Sequence, residues 1–240
     1  MKAGDKILIA MAAGVGTRMG TSSPKQFLDL GGKPVLRRTI EVFLSAEPDI
    51  RVVTVLPKER VDTWKEYCLS ADFNCPQLLV PGGITRFHSV RNALERIPDG
   101  TIVAIHDGVR PLLSPDLVKR MFSMMSTRRH RALIPVIPST DTLKLLDKRE
   151  GPDGTEILSA SGEEIDRSRV YRAQTPQMFL SEDIKEAYAQ AFDISFTDDA
   201  SVAERKGIPL SFCEGERYNI KLTTPDDLAL AKMIISKTLR

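Results

Sequence analysis

Residues 7–25 read ILIAMAAGVGTRMGTSSPK, and their reading decides the fold. The apolar run Ile7–Met11 has the composition of a buried first strand. It breaks at Ala12 and Ala13 into a loop with Gly14 and Gly16. Those glycines let the chain turn sharply and bring its backbone close to a ligand. Successive N–H groups in such a turn form a concave anion site. Arg18 and Lys25 then add two fixed cations. The stretch predicts a loop that wraps a triphosphate at the end of a parallel strand. A plain strand-to-helix turn is the alternative. The dinucleotide fingerprint fails, because Met19 stands where its third glycine belongs and Gly20 comes one residue late. The P-loop pattern fails as well, because Lys25 follows Pro24 and not glycine.

Working outward, β-branched apolar runs alternate with helical patterns. Strands are expected at Val52–Leu56, Gln77–Val80, Thr101–Ile105 and Ala132–Val136. Helices are expected at Val35–Leu44, Glu59–Cys68, Arg86–Ile97 and Pro115–Met125, the last with Ser114 as its cap. This alternation predicts an α/β fold, a Rossmann-like, mostly parallel sheet flanked by helices.

Between about Pro138 and Arg172 the pattern turns polar. β-like pieces at Asp141–Leu146 and Ile157–Ala160 flank Gly-Pro-Asp-Gly at 151–154, a strong turn signal. They predict a protruding hairpin arm. A two-stranded hairpin is marginal alone in water, so an arm that reaches a second subunit is favoured over a mobile surface hairpin. Beyond it, a helix capped by Ser181 runs to about Phe192, and a short helix spans Thr197–Lys206. Strand-like pieces follow at Leu210–Glu214 and Asn219–Leu222. A closing helix covers Pro225–Leu239 behind Thr224. The whole reads as a single domain over 1–240 with a dimerisation arm at about 138–172.

Charge and cysteine usage narrow the function classes. The 240 residues carry 34 Lys and Arg against 32 Asp and Glu, a net charge of +2 with no long basic block. That argues against a nucleic-acid partner. Cys68, Cys75 and Cys213 are odd in number and form no CxxC pair, which argues against a disulfide framework or a zinc site. The N-terminal apolar run is too short for a signal core or a membrane span. A cytoplasmic protein with no membrane partner is expected.

Ligands of open parallel sheets sit at the carboxyl ends of the strands, and the unusual residues collect there. PGGITRFHSV supplies Gly82, Gly83, Arg86 and Ser89, and HDGVRP supplies His106, Asp107, Gly108 and Arg110. Gly82 and Gly83 read either as a turn or as a close backbone approach to a base, with Ser89 bonding to it. Arg86 reads as a site cation or a surface charge. Asp107 reads as a turn cap or as an orienting group for a Mg²⁺–triphosphate or for substrate hydroxyls. His106 reads as a packing residue, because a phosphate nucleophile is already ionised and needs no base. Lys221 reads as a surface lysine or, flanked by Ile220 and Leu222, as one whose orientation is set by packing.

Eight motifs complete the reading: AAGVGTRMG, PKQFL, GGITRFHSV, HDGVRP, DTLK, TPQMF, TDDAS and NIKLTTPDDL, in that order. In this set and order the chain resembles the 2-C-methyl-D-erythritol 4-phosphate cytidylyltransferase family of nucleotidyltransferases, which serves the non-mevalonate route to isoprenoids. The resemblance implies transfer of CMP from CTP to 2-C-methyl-D-erythritol 4-phosphate, with release of pyrophosphate and with Mg²⁺ as cofactor. It implies that Ala12, Ala13, Gly14, Gly16, Lys25 and Asp107 bind CTP, with Gly82, Gly83 and Ser89 on its cytosine and ribose side. Arg18 and Lys25 would stabilise charge on the α-phosphate. Asp107, Gly108, Arg110, Thr197 and Lys221 would hold the acceptor, with Asp107 also the candidate metal ligand. Thr142 and Arg167 on the arm would reach a partner's site in a homodimer, Arg167 and Lys221 positioning the attacking phosphate. The chain departs from the family at Ile84, where an acid is often found, and in the stretch Glu150–Glu156. Arg169 and Arg172 stand near Arg167 as substitutes. A ribitol 5-phosphate cytidylyltransferase and a non-catalytic nucleotide-binding module are the competing functions.

Overall fold

Alternation along the first strand sets the layers. In β1 (Lys6–Met11) the side chains of Ile7, Ile9 and Met11 enter one buried cluster, and those of Leu8 and Ala10 enter another. A strand points successive side chains to opposite faces, so this sheet is covered on both. A computed structural model describes residues 4–14 and 24–238.

The chain continues through α1 (Val35–Ala46), β2 (Arg51–Leu56), α2 (Val61–Ser70), β3 (Gln77–Pro81), α3 (Arg86–Leu94), β4 (Ile102–Asp107), α4 (Pro115–Ser126) and β5 (Ala132–Pro138). The arm follows as β6 (Leu146–Glu150) and β7 (Glu156–Ala160), an antiparallel pair apart from the main sheet. Then come β8 (Tyr171–Ala173), β9 (Gln177–Leu180), α5 (Ser181–Tyr188), α6 (Asp199–Arg205), β10 (Leu210–Glu214) and α7 (Pro225–Thr238). The main sheet has the order β10-β5-β9-β4-β1-β2-β3, with β8 also pairing with β5. Its strands are parallel except β8 and β9, which run antiparallel to their neighbours.

Helices α3, α5 and α6 cover the face that holds Ile7 and Ile9. Helices α1, α2 and α4 cover the other, around Trp64, Phe43 and Phe122. Helix α7 packs Ala231 onto Leu30, Val35, Val109 and Leu222. Ser114 caps α4, accepting a hydrogen bond from Leu117 N, and Pro115 takes the first helical position.

Several expected elements are corrected. Strands β8 and β9 were not expected; β9 is a short run following the polar arm, and its four residues are buried only because it inserts between β4 and β5. The first arm strand is Leu146–Glu150, not Asp141–Leu146. Ser181 is the first residue of α5 and not its cap; its hydroxyl accepts from Thr101 N at 3.0 Å. The helix itself stops at Tyr188, short of Phe192. Helix α6 starts at Asp199, because Asp198 and Ser201 form a capping box. Residues 219–222 form no strand, and Lys221 sits in an irregular segment. Its neighbour Leu222 is nevertheless held, with its N–H on Val109 O at 2.9 Å.

Candidate active site

The C-terminal ends of β1 and β4 lie side by side, with Met11 registered against Asp107. Above them opens a cleft of about 250 Å³ lined by Ala12, Gly14, Lys25, Arg86, Asp107 and Lys221 among others. This is where the parallel topology places a ligand. A larger groove of about 490 Å³, beside Trp64 and Phe73, reaches Gln77 at the opposite, N-terminal end of β3. Its lining is mainly apolar and it holds none of the predicted site residues.

The first loop is fastened from below. Gln26 is buried, and its Nε2 donates to Ala12 O at 2.6 Å and to Gly14 O at 3.1 Å. Lys25 precedes it in a short 3₁₀ turn, Lys25–Phe27, and so lines the cleft. The sequence pattern PKQ contains this Gln26, yet its clasp on the loop was not foreseen. Gly16 and Arg18 lie outside the described residues.

On the opposite wall, Gly82 meets the first loop closely. A Cβ there would stand 2.5 Å from Ala13 Cβ and 3.2 Å from Ser89 Oγ. Gly83 is equally tight, its Cβ position lying 2.5 Å from His88 Cβ. Close approach, and not a left-handed turn, is what requires glycine here. Ser89 Oγ donates to Thr85 O at 2.9 Å and accepts from Gly83 N at 3.0 Å, so it shapes this wall. Ile84 lines the cleft and is almost wholly exposed.

Asp107 forms the charged floor. Arg110 Nε lies 3.1 Å and Lys221 Nζ 3.2 Å from the same oxygen, Oδ2. Burial opposes ionisation of Asp107, but Lys221, Arg86 and Arg110 outweigh it and hold the carboxyl well below the usual range. Arg110 is itself tied down, donating from Nη1 to Asn219 O at 2.8 Å. Gly108 is buried beside them, with its N–H on Met11 O at 2.8 Å.

His106 is a packing residue, as expected. It is fully buried against Phe43, with ring centroids 5.0 Å apart. Its Nε2 faces Arg110 O at 3.3 Å, and a carbonyl only accepts, so the proton sits on Nε2. Its Nδ1 then accepts from Thr175 Oγ1 at 2.9 Å, and that hydroxyl accepts from Asp107 N at 3.1 Å. Burial pushes His106 down to about 3.

The remaining predicted residues are not among those that line this cleft. Thr197 is exposed before α6, its N–H on Ser201 Oγ at 3.1 Å. Thr142 and Arg167 come together, but on the arm, in a depression shared with Lys144, Glu163 and Glu164. Neither is among the residues that line the cleft of their own chain. Among the described residues there is no cluster of three or more His, Cys, Asp or Glu able to hold a metal ion.

Cations around one ionised carboxylate suit phosphate chemistry. Comparison with known proteins agrees. The family profile of IspD, 2-C-methyl-D-erythritol 4-phosphate cytidylyltransferase, matches residues 6–237. The chain belongs to this family. It is thus a nucleotidyltransferase enzyme, with the α/β fold of that group.

The 2-C-methyl-D-erythritol 4-phosphate cytidylyltransferase of Bacteroides thetaiotaomicron is 40% identical over 95% of this chain and 98% of its own. That of Porphyromonas gingivalis is 42% identical over 95% of this chain and 96% of its own. The crystal structure of the Thermus thermophilus enzyme superposes with a TM-score of 0.70 at 31% identity, covering 97% of this chain and 99% of that one. No helix among the described residues is long and apolar enough to cross a membrane.

Proposed function

We propose that this cleft transfers CMP from CTP to 2-C-methyl-D-erythritol 4-phosphate, giving the cytidine diphosphate of methylerythritol and pyrophosphate. The observation that carries the reading is the convergence of Lys25 and Lys221 on one cleft around ionised Asp107. An oxygen of the acceptor phosphate attacks the α-phosphorus of CTP in line. The new P–O bond forms as the bond to the β-phosphate oxygen breaks, and pyrophosphate leaves with that electron pair. The attacking phosphate is already ionised, so no side chain has to take a proton. Two anions must meet, and the chain's task is positioning and charge neutralisation.

Each residue then has a part. Ala12, Ala13, Gly14 and Gly16 carry the triphosphate, and Gln26 holds the backbone of Ala12 and Gly14 in shape. Arg18 and Lys25 neutralise the α-phosphate. Gly82, Gly83 and Ser89 form the wall for cytosine and ribose. Asp107, Gly108, Arg110, Thr197 and Lys221 form the acceptor side, with Lys221 aimed by its ion pair with Asp107. The donor set suits Mg²⁺ only as an ion carried on the CTP phosphates, with Asp107 as the one protein carboxylate. Bound so, it would neutralise further phosphate charge.

The arm at about 138–172 serves as the dimerisation element of one nucleotidyltransferase domain. Leu143, Leu145, Leu146, Ile157 and Leu158 are exposed on it, which suits burial against a second copy. Thr142 and Arg167 lie with them, away from their own chain's cleft, and so are read as acting in the partner's. The cytoplasm is the assigned compartment, in keeping with three free thiols. Phosphorus NMR of a mixture of chain, CTP, Mg²⁺ and acceptor tests the reaction. The acceptor's monophosphate signal should be replaced by a diphosphate pair; its persistence beside intact CTP would refute the assignment.

A further inference from the structure

Arg86 lines the cleft, yet its guanidinium is turned back onto Asp199. Nη1 donates to Oδ1 at 2.7 Å and Nη2 to Oδ2 at 2.6 Å, a fork matched to a carboxylate. Asp199 is fully buried. Tyr188 donates its hydroxyl to Asp199 Oδ1 at 2.6 Å. Tyr188 is in turn stacked on Phe87 at 4.7 Å, and Phe87 on Phe196 at 5.6 Å. The carboxylate is thus fixed from two directions before any ligand arrives.

What the pair joins gives it meaning. Arg86 directly follows the Gly82–Thr85 wall, and Thr85 caps α3 by accepting from His88 N. Asp199 opens α6 two residues after Thr197. Its neighbour Asp198 caps that helix and accepts from Gln177 Nε2 at 2.8 Å, while Gln177 Oε1 accepts from Ala200 N at 2.8 Å. The start of α6 is therefore anchored to β9 in the sheet, and the pair is the strut from there to the nucleotide wall. A buried ion pair is weak as a source of stability alone, but its directional geometry sets a spacing.

We infer that Asp199 is a positioning residue that acts through Arg86, holding the nucleotide wall Gly82–Ser89 and the acceptor-side segment at Thr197 at one fixed separation. This rests on the assignment of those two walls to CTP and acceptor made above. It gives Arg86 a bridging duty where its charge alone would suggest a ligand cation. Loss of the strut loosens both half-sites together, because neither wall is then referred to the other.

Steady-state kinetics of the full chain test this, with Tyr188→Phe, Asp199→Asn and Thr197→Val compared by KM for each substrate and by thermal unfolding. Tyr188→Phe keeps every charge and the ring stack. It should raise KM for both CTP and methylerythritol phosphate about threefold. Asp199→Asn should raise both about tenfold. If Asp199→Asn fails to fold, Tyr188→Phe decides. A purely structural pair would lower the active fraction and kcat with both KM values unchanged, and that result overturns the inference. So does a rise for one substrate only. Thr197→Val separates the layers: an unchanged acceptor KM strikes the acceptor-side assignment itself. A raised one, with the strut variants normal, strikes the strut alone.

Discussion

Lys221 Nζ stands 3.2 Å from Asp107 Oδ2, and this contact ties the irregular segment before α7 to the end of β4. Arg110 approaches the same oxygen from the side, at 3.1 Å. Lys221 thereby gains a fixed position at the cleft although no strand carries it. Its side chain remains about two-fifths exposed and lines the cleft.

Removal of that ammonium tests its part in the chemistry. Lys221→Ala and Lys25→Ala are each expected to lower kcat ~100-fold or more, since one positioned donor is worth about 2.7–4 kcal/mol in a barrier. Thermal unfolding should stay within a few degrees of the parent. Pyrophosphate release is the measurement, and near-parental turnover in both variants would remove the fixed cations from the mechanism. Arg18→Ala belongs in the same series.

The glycine wall makes a steric prediction. Gly82→Ala sets a methyl 2.5 Å from Ala13 Cβ, between the two loops assigned to CTP. Overpacking of this kind costs about 1–3 kcal/mol. KM for CTP should rise about tenfold or more, with the KM for the acceptor changed far less. Equal KM values in parent and variant would show that the two loops do not hold the nucleotide between them.

His106 makes a pH prediction for stability. Its folded value, near 3, lies below the ordinary 6.5. As pH falls through 6.5 the unfolded chain takes up a proton that the folded chain refuses, so stability is full above that value and declines below it. The slope approaches about 1.4 kcal/mol per pH unit, or about 2 kcal/mol between pH 6.5 and pH 5. Urea unfolding at the two values measures it, with His106→Asn expected to flatten the difference. Turnover should show no limb from His106 in this range, because the ring stays neutral and serves only to hold Thr175 and Asp107.

The arm makes a prediction by complementation. If Arg167 serves the neighbouring subunit, chains with Arg167→Ala and chains with Lys25→Ala, mixed and allowed to exchange, form mixed dimers with one intact site. Random mixing should restore about a quarter of parental activity. A mixture as inactive as its parts would place Arg167 in its own chain's site, and full activity of Arg167→Ala alone would place it outside catalysis.

Much of this was legible in the sequence, and the reasons differ by residue. The strand Ile7–Met11 could be read because its apolar run is contiguous. The helix caps at Ser114 and Thr224 are local signals, and both hold. Strand β9 was missed because its pairing partners lie far away in sequence, in β4 and β5. The same distance hid the site's supports. Arg86 and Asp199 are separated by 113 positions, and neither motif alone says that one is aimed by the other. Gln26 was visible as part of PKQ, but its bonds reach Ala12 and Gly14, 14 and 12 positions away, and no local pattern shows them. Arg86 looked like either a site cation or a surface charge, and it proves to be a bridge at the cleft wall.

The most direct measurement is the initial rate of pyrophosphate release from CTP and Mg²⁺ with 2-C-methyl-D-erythritol 4-phosphate, set beside ribitol 5-phosphate at equal concentration. Release with the first acceptor, at least ~100-fold above the second and abolished by Lys25→Ala, is the expected result. Preferential release with ribitol 5-phosphate, or none with either despite CTP binding, would contradict the assignment of this cleft to methylerythritol phosphate cytidylyl transfer.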